Sequence, residues 1–196
     1  MIIALLWAAA VAVGVCLHAG AESSPSDGGG GPHVLPPIAA LKTPPGVPLI
    51  AMALHPRCPC SPASVDELES LAGRSFQPVT VVVLVSTPAE DSEEWDEAFD
   101  RISRKLTSMR VIKDRAGAIA ASLGMHASGA TLIYDSAGRL VFSGGLTLAR
   151  GMAGANPAAI EAMKRAGCSE AALPVDTHSP VFGCRLIEPG HREEVR

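Results

Sequence analysis

The stretch Val79–Val85 (VTVVVLV) constrains the fold of this chain more than any other. It is dense in β-branched residues and shows no alternation of apolar and polar positions. A strand with one wet face alternates; a strand covered on both faces does not. The run therefore predicts a central strand of a layered α/β domain, with other chain packed above and below it.

The neighbouring segments agree with that frame. Leu49–Leu54 is a short apolar run ending at His55-Pro56 and reads as a second buried strand. Ser61 is placed to cap a helix whose first position is Pro62. Val65, Leu68 and Leu71 follow at helical spacing, and Gly73 stops the helix. Trp95, Phe99, Ile102 and Leu106 form one helical stripe, read as core, with acids at its start and Arg104 and Lys105 at its end. Met109–Lys113 predicts a strand, and Ala116–Leu123 a short helix closed by Gly124. Thr131–Tyr134 and Leu140–Ser143 flank the turn signal Asp135-Ser136-Ala137-Gly138. Asn156-Pro157 opens a last helix that ends near Gly167. Strand, loop, helix, strand, helix, strand, helix, hairpin, helix is the resulting order.

The N-terminus reads as an address. Residues 2–17 are apolar and uncharged, and Ala19-Gly20-Ala21 then offers an A-x-A cleavage site. Residues 1–21 are thus expected to be an export signal or an N-terminal membrane anchor; no Lys or Arg follows Met1 to strengthen either reading. Both place the rest of the chain outside the cytoplasm, in the periplasm or held at a membrane facing it, where disulfides persist. Residues 22–48 carry Gly28–Gly31, Pro36-Pro37 and Pro44-Pro45 and read as a Gly/Pro-rich linker. Residues 49–196 form the folded domain. With a formal net charge of −4 and no basic cluster, the chain is not expected to bind nucleic acid.

Chemistry concentrates in His55-Pro56-Arg57-Cys58-Pro59-Cys60-Ser61-Pro62, at the first strand-to-helix junction. A helix N-terminus offers unpaired N–H groups and the positive end of a dipole, and both favour thiolate over thiol. Arg57 adds a charge nearby. Cys58, ahead of the helix, is expected to be the more exposed sulfur and the nucleophile. Cys60 is expected to attack a mixed disulfide on Cys58. A bond closed across Pro59 alone is strained, and strained disulfides reduce easily. The same two sulfurs permit a second reading, a Cu(I) carrier with His55 or His126 as third ligand. A third reading is a structural pair. Cys168 and Cys184 read either as a stabilising disulfide or, for Cys184 in Phe182-Gly183-Cys184, as a further redox partner or ligand. No Gly-rich phosphate loop, Ser-centred nucleophile motif, paired His-Glu metal signature or P-x-x-x-T-x-x-C motif is present.

The junction resembles a thioredoxin-superfamily active site, with C-x-C in place of C-x-x-C. A longer resemblance, to exported RedB-type thioredoxin-like proteins, runs from about Leu49 to Leu186. It is carried by His55–Ser61, Ser128-Gly129, Leu132–Asp135 and Gly138–Leu140. It continues through Phe142–Thr147, Arg150-Gly151 and Pro180–Cys184. It implies a thioredoxin-like sheet flanked by helices, thiol–disulfide oxidoreductase chemistry at Cys58 and Cys60 without a cofactor, and a thiol or disulfide protein partner. Two departures stand out: Ala130, not proline, precedes Thr131, and Met152–Asn156 replaces a more polar stretch.

Overall fold

The computed structural model describes residues 7, 9–15, 25–26, 30–75, 77–166 and 178–187. Among them five strands form one sheet: β1 (Leu49–Leu54), β2 (Thr80–Thr87), β3 (Arg110–Arg115), β4 (Ala130–Tyr134) and β5 (Leu140–Gly145). The order across the sheet is β3-β2-β1-β4-β5. β1 and β2 run parallel, with Leu49 opposite Thr80, and β2 pairs with β3 in the same sense. β4 is antiparallel to β1, Met52 opposite Thr131, and β4 and β5 make the expected hairpin. A βαβ unit followed by a ββα unit around the central strand β1 is the thioredoxin-like α/β arrangement expected from the sequence.

Both faces of the sheet are covered, which is why the β1 and β2 sequences do not alternate. On one face Ile50, Met52, Leu54, Val83 and Val85 pack against helix α1 (Ser61–Gly73) through Val65, Leu68 and Leu71. Phe99 and Ile102 of α2 (Glu93–Lys105) and Ala159, Ala162 and Met163 of α4 (Pro157–Ala166) complete that layer. Each fully buried Val, Leu, Ile or Met of this layer contributes about 1.5–3 kcal/mol by leaving water. The opposite face holds Ala51, Ala53, Val82, Leu84 and Leu132 under Ala120 of α3 (Ala118–Ser122), Leu123, Leu41, Val181 and Leu186. Asn156 caps α4 as expected: its Oδ1 accepts from Ala158 N at 3.0 Å, while its Nδ2 donates to Gly145 O at 2.8 Å.

Two local expectations are corrected. The N-cap of α1 is Cys60, not Ser61. Cys58-Pro59-Cys60-Ser61 closes as a turn, Ser61 N donating to Cys58 O at 3.1 Å, so Ser61 already lies in the first helical turn. α3 starts two residues later than predicted, because Ala116 and Gly117 are left-handed (φ 52° and 60°). Asp114 then satisfies the helix start, accepting from Ile119 N and Ala120 N at 2.9 Å each.

The described part of the Gly/Pro-rich segment differs from a free tether. Leu35 N donates to Gly138 O at 2.8 Å, and Leu140 N to His33 O at 2.9 Å. Further on, Leu41 is 1% exposed, and the Arg110 guanidinium donates to Ala40 O and Lys42 O. Residues 30–48 thus cross the sheet from the β5 edge to β3. The stretch forms one short 3-10 turn, Ala39–Leu41, and Leu35, Ile38 and Leu41 cover apolar surface that would otherwise be wet. No helix among the described residues is long and apolar enough to cross a membrane.

Candidate functional site

The chain winds from β1 outward through β2 to β3, then returns to β4 and β5 on the other side of β1. Such a switch point leaves a crevice at the carboxyl end of the central strand, where α/β sheets place their ligands. Here β1 runs out at Leu54 and the Cys58–Cys60 turn follows, next to the chain entering β4: Gly129 N donates to Ala53 O at 2.7 Å. A third stretch arrives from the C-terminus. Ala127 bridges Arg185, Ser128 N donates to Cys184 O at 2.8 Å, and Leu186 N to His126 O at 2.9 Å. Gly183 permits this approach, since a Cβ there would lie 1.9 Å from Ser128 O.

Three thiols, Cys58, Cys60 and Cys184, are consequently neighbours, and all three are reduced. Cys58 is not the exposed sulfur the sequence suggested. Cys58 and Cys60 are both 4% exposed, because the C-terminal segment lies over the turn. Burial opposes a charge on Cys58. Hydrogen bonds from the Cys184 thiol, the Cys184 and Cys60 N–H groups and the Ser128 hydroxyl outweigh that cost, and its pKa falls below the ordinary thiol value. The Cys184 N–H lies 3.3 Å from the Cys58 sulfur. Ser61 donates to His55 O at 2.9 Å, the Ser61 and Ser128 hydroxyls lie 2.9 Å apart, and Ser128 Oγ accepts from His55 N at 3.0 Å.

The other two thiols shift the opposite way. Burial, then the charge and hydrogen bond of Cys58, raise the pKa of Cys60, with Arg150 opposing. Burial, the hydrogen bond to Cys58 and the charges of Cys58 and Cys60 push Cys184 up to about 12, again against Arg150. One thiolate beside two protonated thiols is the state these contacts favour.

Arg57 does not take the part foreseen for it. Its guanidinium pairs with Glu94 at 3.3 Å and lies 5.3 Å from the Trp95 ring centroid, and the cation acting on the thiol cluster is Arg150. His55 Nδ1 accepts from Arg57 N at 3.2 Å, and its ring meets Trp95 edge-on at 5.5 Å. Among the described residues no three His, Cys, Asp or Glu side chains are arranged to hold a metal ion, so the Cys58, Cys60 and His55 set is not assembled. Cys16 and Cys168 lie outside the described residues, and with them the Cys168–Cys184 pairing. Ser128 and Arg150 stood in the resemblance without a role; neither residue type announces that it will meet a thiol from another part of the chain.

A groove of about 350 Å³ opens beside Cys58 between α1 and α2. Val65, Ile102 and Leu106 form its apolar wall, and Arg57, Arg101 and Lys105 its basic rim.

No protein-family model matches the chain, and no curated protein matches it. Solved structures do. An uncharacterized conserved protein from Geobacillus kaustophilus aligns with a TM-score of 0.58 at 17% identity, covering 87% of this chain and 97% of that one. A hypothetical protein from Sinorhizobium meliloti gives 0.54 at 19% identity, over 86% and 98%. DsbF from MTB, solved in mixed oxidized and reduced forms, gives 0.45 at 15% identity, over 62% and 81%. The first two share this chain's fold.

Proposed function

We propose that this chain is an exported thiol–disulfide oxidoreductase in which Cys58 attacks a disulfide of a partner protein and Cys60 stands beside it as resolving thiol. The observation that carries this reading is the buried Cys58 sulfur at the switch point of the sheet, held there by the Cys184 N–H, which donates to it at 3.3 Å. Thiolate, not thiol, is the nucleophile in disulfide exchange, and this donor favours it without a cofactor. The groove between α1 and α2 gives a partner segment a place to lie against Cys58. The RedB-type resemblance supports the chemistry, and the apolar leader followed by Ala19-Gly20-Ala21 supports export. In the reaction the Cys58 thiolate attacks one sulfur of a disulfide, forming a mixed disulfide and releasing the other sulfur as a thiolate. A second thiol of the site then attacks the Cys58 sulfur, the partner leaves fully reduced, and the protein keeps a disulfide in place of two thiols.

The reduced full-length chain mixed with oxidised glutathione tests this. The expected result is release of two reduced glutathiones per protein, abolished by Cys58→Ser. No release, or release undiminished by Cys58→Ser, would overturn it. Stoichiometric Cu(I) on the reduced protein without any exchange would point instead to the carrier reading on Cys58, Cys60 and His55.

A further inference from the structure

We infer that Cys184 is itself a resolving thiol for Cys58, so that the site closes a long-range Cys58–Cys184 disulfide and works with three sulfurs. This inference rests on the exchange chemistry proposed for Cys58 and deepens it.

Geometry carries it. The Cys184 N–H donates to the Cys58 sulfur at 3.3 Å, across 126 positions of the chain. This placement is held, not incidental. The Ala127–Arg185 bridge, the bond from Ser128 N to Cys184 O and the bond from Leu186 N to His126 O fix the chain on both sides of Cys184. Gly183 has no Cβ where one would collide with Ser128 O. Ring closure favours it too. Cys58 and Cys60 are joined by Pro59 alone, whose fixed φ near about −65° limits how far the backbone can adjust. Cys58 and Cys184 are 126 positions apart, so their bond closes no small ring.

The electrostatics supply an order of events. While Cys58 is a thiolate, its charge and its hydrogen bond hold the proton on Cys184. Once Cys58 enters a mixed disulfide that charge is gone, and Arg150, which favours the Cys184 thiolate, remains. Cys184 then attacks the Cys58 sulfur, the Cys58–Cys184 bond forms, and the bond from Cys58 to the partner sulfur breaks. The partner sulfur leaves with the electron pair and takes the Cys184 proton. Two protein thiols are oxidised and one partner disulfide is reduced.

The test uses the full chain and oxidised glutathione. Cys60→Ser, at a helix N-cap where Ser is well suited, leaves Cys58 and Cys184 in place. The expected result is that Cys60→Ser still releases two glutathiones and yields a Cys58–Cys184 linked peptide on non-reducing digestion. The double variant Cys60→Ser with Cys184→Ser is expected to stop after one, glutathionylated at Cys58. Arrest of Cys60→Ser itself at the Cys58–glutathione adduct, or a peptide joining Cys184 to Cys168, would overturn the inference. Wild type releasing two glutathiones in the same assay keeps the underlying exchange chemistry intact in either case; wild type releasing none removes that chemistry itself.

Discussion

Replacing Gly183 with Ala moves Cys184 away from Cys58 without altering a single sulfur. A Cβ at this position would stand 1.9 Å from Ser128 O and 2.8 Å from Ser128 C. An ordinary C···O contact begins near about 3.3 Å, so the two chains must part by roughly 1.4 Å. Two hydrogen bonds span the same gap: Ser128 N to Cys184 O at 2.8 Å and Cys184 N to the Cys58 sulfur at 3.3 Å. Neither survives a separation of that size. A buried donor left unpaired costs about 1–3 kcal/mol, and overpacking adds a cost of the same order. The expected loss is therefore about 2–6 kcal/mol of unfolding free energy, read by denaturant titration at unchanged m. Cys58 also loses the Cys184 N–H donor, so the pH profile of its alkylation is expected to move upward. Gly154→Ala is the control, since its Cβ would meet only Leu148 Cδ1 at 3.9 Å. A Gly183→Ala protein within about 0.5 kcal/mol of wild type, with the same alkylation profile, would refute the packing attributed to this loop.

Other perturbations test the remaining parts of the site and the fold. Alkylation of reduced wild type, followed by mass spectrometry against pH, is expected to show Cys58 reacting first with a midpoint below 9.0, the ordinary thiol value. The sign follows from the lowered pKa: the thiolate persists below pH 9.0 and is lost only as pH falls through the depressed value, so a midpoint at or above 9.0 speaks against the donor set. Arg150→Met removes the cation that favours ionisation of Cys60 and Cys184. The closing step is then expected to slow at neutral pH and recover as pH rises, while the first attack by Cys58 keeps its rate. Stopped-flow resolution of the two glutathione releases measures both, and an equal slowing of the two would count against this role. Asp114→Ala strips two backbone N–H groups at the start of α3 of their acceptor. It is expected to cost about 1–3 kcal/mol by thermal or denaturant unfolding, and a change under about 0.5 kcal/mol would show the cap to be idle.

The sheet was legible because its central strands carry their burial openly: Leu49–Leu54 has no polar position, and Val79–Val85 has one, Thr80, with no alternation after it. The α2 stripe and the Asn156 cap were legible for a similar reason, since each is written within a few residues. The start of α1 was misread by one position, because the Cys58–Ser61 turn is decided by where Pro59 puts the backbone and not by which residue has a capping side chain. Cys58 and Cys60 could be singled out from their motif. What surrounds them could not. Ser128, Arg150 and Cys184 come from a strand entry, a loop after β5 and the C-terminal segment, and nothing local in their sequence fixes that convergence. The exposure assigned to Cys58 failed for the same reason, as its cover lies 126 residues away. The Gly/Pro-rich composition of residues 22–48 gave a linker; that residues 30–48 lie as a strap over an apolar face depends on Leu35, Ile38 and Leu41 meeting a core from distant parts of the chain.

Ser26 joins this strap to the thiol cluster. Its N–H donates to Val181 O at 2.7 Å, and its hydroxyl to Gly183 O, one residue from Cys184. Were residues 1–21 kept in a bilayer, four residues would separate that anchor from Ser26, and the five steps along the chain make a leash of at most about 17 Å when fully drawn out. The leash would fasten at the mouth of the site, not at its back. The three sulfurs would then sit a short step from the lipid surface, and the partners within easiest reach would be those presenting a disulfide close to the membrane plane. A pull on the leash would bear first on the Val181–Gly183 turn, so the grip of Cys184 on Cys58 would register tension in the anchor before the sheet behind it did.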